Sequence, residues 1–93
     1  MRATFNGTTI AESNDTVVVE GNHYFPTSSV LPGVLVESQQ STVCPWKGTA
    51  AYYDVVVEGT TAANGAWYYP EPSDAAAQIA DRLAFHQVVS VTE

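Results

Sequence analysis

Thr49-Ala50-Ala51-Tyr52-Tyr53-Asp54-Val55-Val56-Val57-Glu58 is the stretch on which the fold turns. Valine, tyrosine and threonine dominate it, and these side chains fit a pleated surface while losing rotamer freedom in a helix. Period two divides the stretch into a greasier face (Thr49, Ala51, Tyr53, Val55, Val57) and a wetter one (Ala50, Tyr52, Asp54, Val56, Glu58). The pattern predicts a strand with Tyr52 and Asp54 on its wetter side.

Toward the amino terminus the same grammar repeats. Arg2-Ala3-Thr4-Phe5, Asn6-Gly7 and Thr8-Thr9-Ile10-Ala11 predict a hairpin, because Asn-Gly supplies the positive φ angles of a type I′ turn. Thr16 to Glu20 is a β-branched run ending at Gly21-Asn22, a further strand with its turn. Pro26 closes the aromatic stretch Tyr24-Phe25 and favours a short helical turn over Thr27 to Val30. Leu31-Pro32-Gly33 breaks the chain, Val34 to Glu37 reads as a short strand, and Ser38 to Ser41 reads as a loop.

Toward the carboxyl terminus, Gly59 to Gly65 reads as a small-residue loop and Ala66-Trp67-Tyr68-Tyr69 as a short strand stopped by Pro70-Glu71-Pro72. Ser73 is placed to cap a helix of about two turns, with Ala76, Ile79, Ala80 and Leu83 on one side. Leu83 to Val91 returns to strand character, with Phe85, Val89 and Val91 on one parity. Some seven short strands and one brief helix define a mainly β fold, a compact antiparallel β domain with one short helix near the C-terminus. Its 93 residues are expected to form a single domain, 1–93, since a chain of that length buries one core.

Composition narrows the partners. Hydrophobic residues are 45% and charged residues 14% of the chain, too apolar for disorder. Three Lys and Arg against ten Asp and Glu leave a net charge of -7, which repels phosphate backbones and anionic lipid. Neither nucleic acid nor a membrane is therefore expected as partner, whereas monomer and homodimer both stay open. A saline cytoplasm and ordinary acidic proteins both produce such a balance. Residues 1–6 show no secretory pattern, no run approaches the roughly 20 apolar residues of a spanning helix, and the lone Cys44 forms no internal disulfide. A cytoplasmic location is the simplest expectation.

No Gly-rich phosphate loop, HExxH or GxSxG occurs, so no cofactor is expected. No metal is expected either, because His23, His86 and Cys44 come from distant segments without ligand spacing. The candidate site is the polar, aromatic segment Thr42 to Tyr53, interrupted by Pro45 and Gly48. In one reading it borders an aromatic cleft where Lys47 offers its charge to a small anionic or carbonyl ligand between walls of Trp46, Tyr52, Trp67 and Tyr69. In another, Trp46 and Trp67 fill the core, Gly48 allows a bulge, and Lys47 lies on the surface paired with Asp54 or Glu58. An enzyme is the alternative of a different class, with Cys44 or Tyr52 as nucleophile or acid-base group and Lys47 stabilising developing charge. A third reading is an interaction domain whose acidic surface recruits a basic partner.

Cys44-Pro45-Trp46-Lys47-Gly48-Thr49-Ala50-Ala51-Tyr52-Tyr53 resembles the small bacterial family DUF427, a domain of unknown function. Ala66-Trp67-Tyr68-Tyr69-Pro70 with Pro72, and Ala84-Phe85-His86 before a Val-rich terminal strand, are similar to its closing blocks. Arg2, Ile10-Ala11-Glu12-Ser13 and Tyr24-Phe25-Pro26 extend the resemblance over nearly the whole chain, with His86 where many relatives carry an aromatic. The resemblance implies a β domain of Mss4-like or β-tent-like architecture and says little about activity. A nucleotidyltransferase-like label attached to the family would want paired carboxylates on Mg²⁺, and no two aspartates lie close together in this sequence.

Overall fold

Nine strands and two short 3₁₀ turns build the chain in the computed structural model, which describes residues 1–93. The strands are β1 (Arg2–Phe5), β2 (Thr8–Glu12), β3 (Val17–Val19), β4 (Asn22–Pro26), β5 (Leu35–Cys44), β6 (Gly48–Val57), β7 (Thr60–Tyr68), β8 (Arg82–Phe85) and β9 (Ser90–Thr92). All pairing is antiparallel, in a three-stranded sheet ordered β2-β1-β9 and a six-stranded sheet ordered β3-β4-β8-β7-β6-β5. No helix is long and apolar enough to cross a membrane.

Three two-residue turns set the hairpin registers: Asn6-Gly7, Glu20-Gly21 and Glu58-Gly59. Each has positive φ at both positions, at 51° and 78°, 53° and 80°, and 49° and 79°, as type I′ geometry demands. The first matches expectation. The second lies one residue earlier than Gly21-Asn22, and the third removes Glu58 from the strand.

Two expected loops are strand. Ser38 to Ser41 lies within β5, an edge strand paired only to β6, where hydrophilic side chains stay in water at no packing cost; the register shift between Glu37 and Ser41 marks a bulge. Gly59 to Gly65 becomes the turn and most of β7, because its small residues answer a packing need. A Cβ on Gly65 would stand 3.0 Å from Ala62 Cβ, Ala62 O and Val55 Cγ2.

The expected helix is a correction too. Asp74–Ile79 forms 3₁₀ turns that kink at Ala76 (φ -117°, ψ 23°), and Ser73 makes no side-chain cap. Its hydroxyl donates instead to the Trp46 carbonyl at 2.5 Å. With about two turns of intrinsic helix available, tertiary contacts decide the local geometry, and Ala76 and Ile79 are buried.

The inner strands of the six-stranded sheet are covered on both faces, whereas the edge strand β5 stays largely in water. Alternate residues supply two cores: Phe25, Leu83, Phe85, Ala66, Val55 and Val57 join Phe5, Ile10 and Ala11 of the small sheet, while Tyr24, Ala84, Tyr69 and Ala50 join Ala76 and Ile79. Each fully buried Phe, Leu or Val contributes roughly 1.5–3 kcal/mol. Period two in β6 is thus real, but its expected wet face is half of a second core, against which Tyr52 packs.

Candidate functional site

Residues 45–47 connect β5 to β6 and reach Glu20 in the β3–β4 turn. Gly48 has φ +118°, and a Cβ there would lie 3.1 Å from the Glu71 carbonyl oxygen, so the chain passes where a side chain would collide. The connection is tied down by the segment after β7: Ser73 donates its N–H to the Lys47 carbonyl at 2.9 Å and its hydroxyl to the Trp46 carbonyl. Held this way, the Lys47 side chain runs inward.

Lys47 is the one charged side chain buried in the protein, 6% exposed. Its ammonium lies 5.3 Å from the centroid of the Trp46 ring and 5.4 Å from that of Tyr69, and it donates to the Glu20 carboxylate. Trp46 Nε1 donates to the same carboxylate at 3.5 Å. Burial disfavours the ammonium, yet the Glu20 hydrogen bond and the fields of Tyr24 and Tyr69 outweigh it and hold the Lys47 pKa above its usual value. The reciprocal bond from Lys47 draws the Glu20 carboxyl below the ordinary carboxylate range against its desolvation. Tyr69 is raised by burial, although Lys47 pulls the other way.

Lys47 therefore does not lie on the surface, and its partner is neither Asp54 nor Glu58. Asp54 instead accepts the Asn64 N–H at 2.8 Å, and Glu58 occupies a hairpin turn. Trp46, at 40% exposed, is not a core residue.

The remaining candidates share the second core. Tyr52 and Trp67 sit directly opposite across β6 and β7. The Tyr52 hydroxyl is 3.0 Å from Thr42 Oγ1, and Trp67 Nε1 donates to the Tyr24 hydroxyl at 3.1 Å, with the two rings edge to face. Cys44 packs half-buried against the same cluster. Lys47, Trp46 and Tyr69 are thus brought together while Tyr52, Trp67 and Cys44 pack against the same core, yet of the six only Trp67 lines a cavity, and the expected aromatic cleft around Lys47 is closed. One cleft takes Gly48 to Ala51, Pro70 and Glu71; another takes Trp67 with His23 and His86 but not Cys44. No three potential metal ligands cluster anywhere.

Sequence reading missed Glu20 and Tyr24. Tyr24 stood in a marked aromatic stretch, and its pairing with Trp67 was open to suspicion on type alone. Nothing about Glu20 announced a bond to a lysine 27 positions away.

Fold and site together define a small, mainly β domain whose one buried cation lies beside two aromatic rings and is paired with a glutamate of a hairpin turn. The chain belongs to the DUF427 family: the family model described as a domain of unknown function (DUF427) matches residues 1–93, its whole length. Among curated proteins, none matches the chain.

Proposed function

We propose that the protein is a small-molecule binding module that receives the carboxylate or carbonyl group of an anionic ligand at Lys47. One observation carries the reading: the buried ammonium is neutralised by Glu20, a side chain about half exposed on a hairpin turn, rather than by a residue of the core. Two donors, Lys47 Nζ and Trp46 Nε1, converge on that carboxylate, an arrangement that suits an incoming carboxylate equally well.

Exchange of one carboxylate for another keeps the buried charge paired, which avoids the desolvation cost of an isolated ammonium. Glu20 is able to leave because β3 is a three-residue edge strand paired to β4 alone. Trp46 and Tyr69 supply the ring faces beside the charge.

The test is a thermal-shift screen of small carboxylates, phosphates and keto acids on the native protein and on Glu20→Gln. The variant is expected to show the larger stabilisation by one ligand class, and Lys47→Met to show none. No shift in either the native protein or Glu20→Gln would sink the reading.

A further inference from the structure

Both histidines line one cleft, and no carboxylate lines it, in a chain that carries ten. Elsewhere the positive side chains are already engaged: Arg2 by Glu12, Lys47 by Glu20 and Arg82 by Asp15. His23 and His86 are the basic side chains left without a carboxylate partner, and the fold places them together.

The cleft follows from the sheet topology. Strands β4 and β8 pair only at Phe25 with Leu83 and Pro26 with Arg82. Beyond that point Asn22, His23 and Tyr24 keep their pairing with β3 alone, so β4 and the end of β8 are not joined. Extending the register would set His23 opposite Phe85 and Asn22 opposite His86. The opening left there has a volume of about 360 Å³, no larger than the other two clefts, so its lining and not its size sets it apart.

Its lining is of two kinds. Trp67 gives aromatic surface, its indole N–H already committed to Tyr24, which leaves only its ring to offer, while Phe85 borders the cleft with its ring buried in the first core. Asn22, His23, His86 and Gln87 give side-chain hydrogen-bonding groups. His23 Nδ1 is 3.0 Å from the Thr16 hydroxyl, so Nε2 is its remaining polar atom.

We infer that this cleft is a second binding site, distinct from Lys47, for a small aromatic carboxylate. The ring packs against Trp67, and the carboxylate accepts hydrogen bonds from the imidazoles and the neighbouring side-chain amides. Lys47 does not line the cleft, so the inference stands apart from the function proposed above.

The probe is indole-3-carboxylate, with indole and acetate as its separate halves, titrated into the ¹⁵N-labelled full chain and followed by amide shifts. Shifts are expected at Gly21 to His23 and at His86 and Gln87, with affinity at least tenfold above either half. His86→Ala, a change at an exposed position, is expected to weaken binding at least tenfold, whereas Val88→Ser, equally exposed but outside the cleft, retains it. Indole binding as tightly as the carboxylate, His86→Ala binding as the native protein does, or no shift at millimolar probe would each overturn the inference. Shifts confined to Trp46 and Lys47 would overturn it while favouring the Lys47 site.

Discussion

Lys47 and Glu20 stand 27 residues apart in the chain and form an ion pair whose two ends differ in environment: the lysine side chain is 8% exposed and the glutamate 51%. The asymmetry decides what each substitution does. Removing the carboxylate strands a buried ammonium, whereas removing the amine leaves a carboxylate that water can solvate.

Glu20→Gln is accordingly expected to lower stability more than Lys47→Met, whose thioether fits the slot between Trp46 and Tyr69 and needs no partner. Urea unfolding of the two variants checks the order; equal midpoints would mean that the ammonium is solvated in the native state.

The pH dependence has two limbs. The Glu20 carboxyl is depressed from 4.5, so its contribution is complete above pH 4.5 and disappears as pH falls through the lower folded value. Lys47 is raised from 10.5, so its contribution is complete below pH 10.5 and is lost as pH climbs through the higher folded value. Tyr53 and Tyr69, both raised from 10.0 by burial, add to the alkaline loss. Unfolding midpoints between pH 2 and 12 are expected to drop at both ends, with Glu20→Gln showing a shallower acid limb.

At Gly48 an alanine meets the Glu71 carbonyl oxygen at 3.1 Å and must adopt φ +118°. Gly48→Ala is expected to cost about 1–3 kcal/mol. It is also expected to loosen the Ser73 bonds to Trp46 and Lys47, read as faster amide exchange at Ser73.

Tyr24→Phe removes the hydroxyl that accepts the Trp67 indole N–H, inside the second core. The expected loss is about 1–3 kcal/mol, the cost of a polar group left without its partner. Urea unfolding measures it, and a native near-ultraviolet spectrum would show that the packing itself survives.

Legibility followed the reach of the forces involved. The Asn6-Gly7 hairpin and the β6 strand are local matters of turn chemistry and alternation, and both are present where the residues predict them. The end of strand β7 is read from Ala66-Trp67-Tyr68, but its first part, Thr60 to Gly65, was illegible because alanine, asparagine and glycine at positions 62 to 65 carry no strand signal; Gly65 lacks a side chain where Val55 and Ala62 close around it. The Asp74–Ile79 segment has helical spacing, but a piece so short takes its geometry from what it packs on.

For the site, residue chemistry pointed to Lys47 as the lone lysine among carboxylates and to the aromatics around it. It was silent on Glu20, because an ion pair between distant segments leaves no periodicity. Alternation and turn dipeptides act over a few residues, and together with the charge balance they determined a mainly β, acidic chain, while the block Cys44 to Tyr53 stood out through its resemblance to the DUF427 family. Whether that lysine would be buried, which carboxylate would meet it, and that both histidines would share a cleft depended on strand order across the six-stranded sheet. Only the assembled tertiary structure sets that order, since covering both faces of the sheet's inner strands is a property of the whole chain.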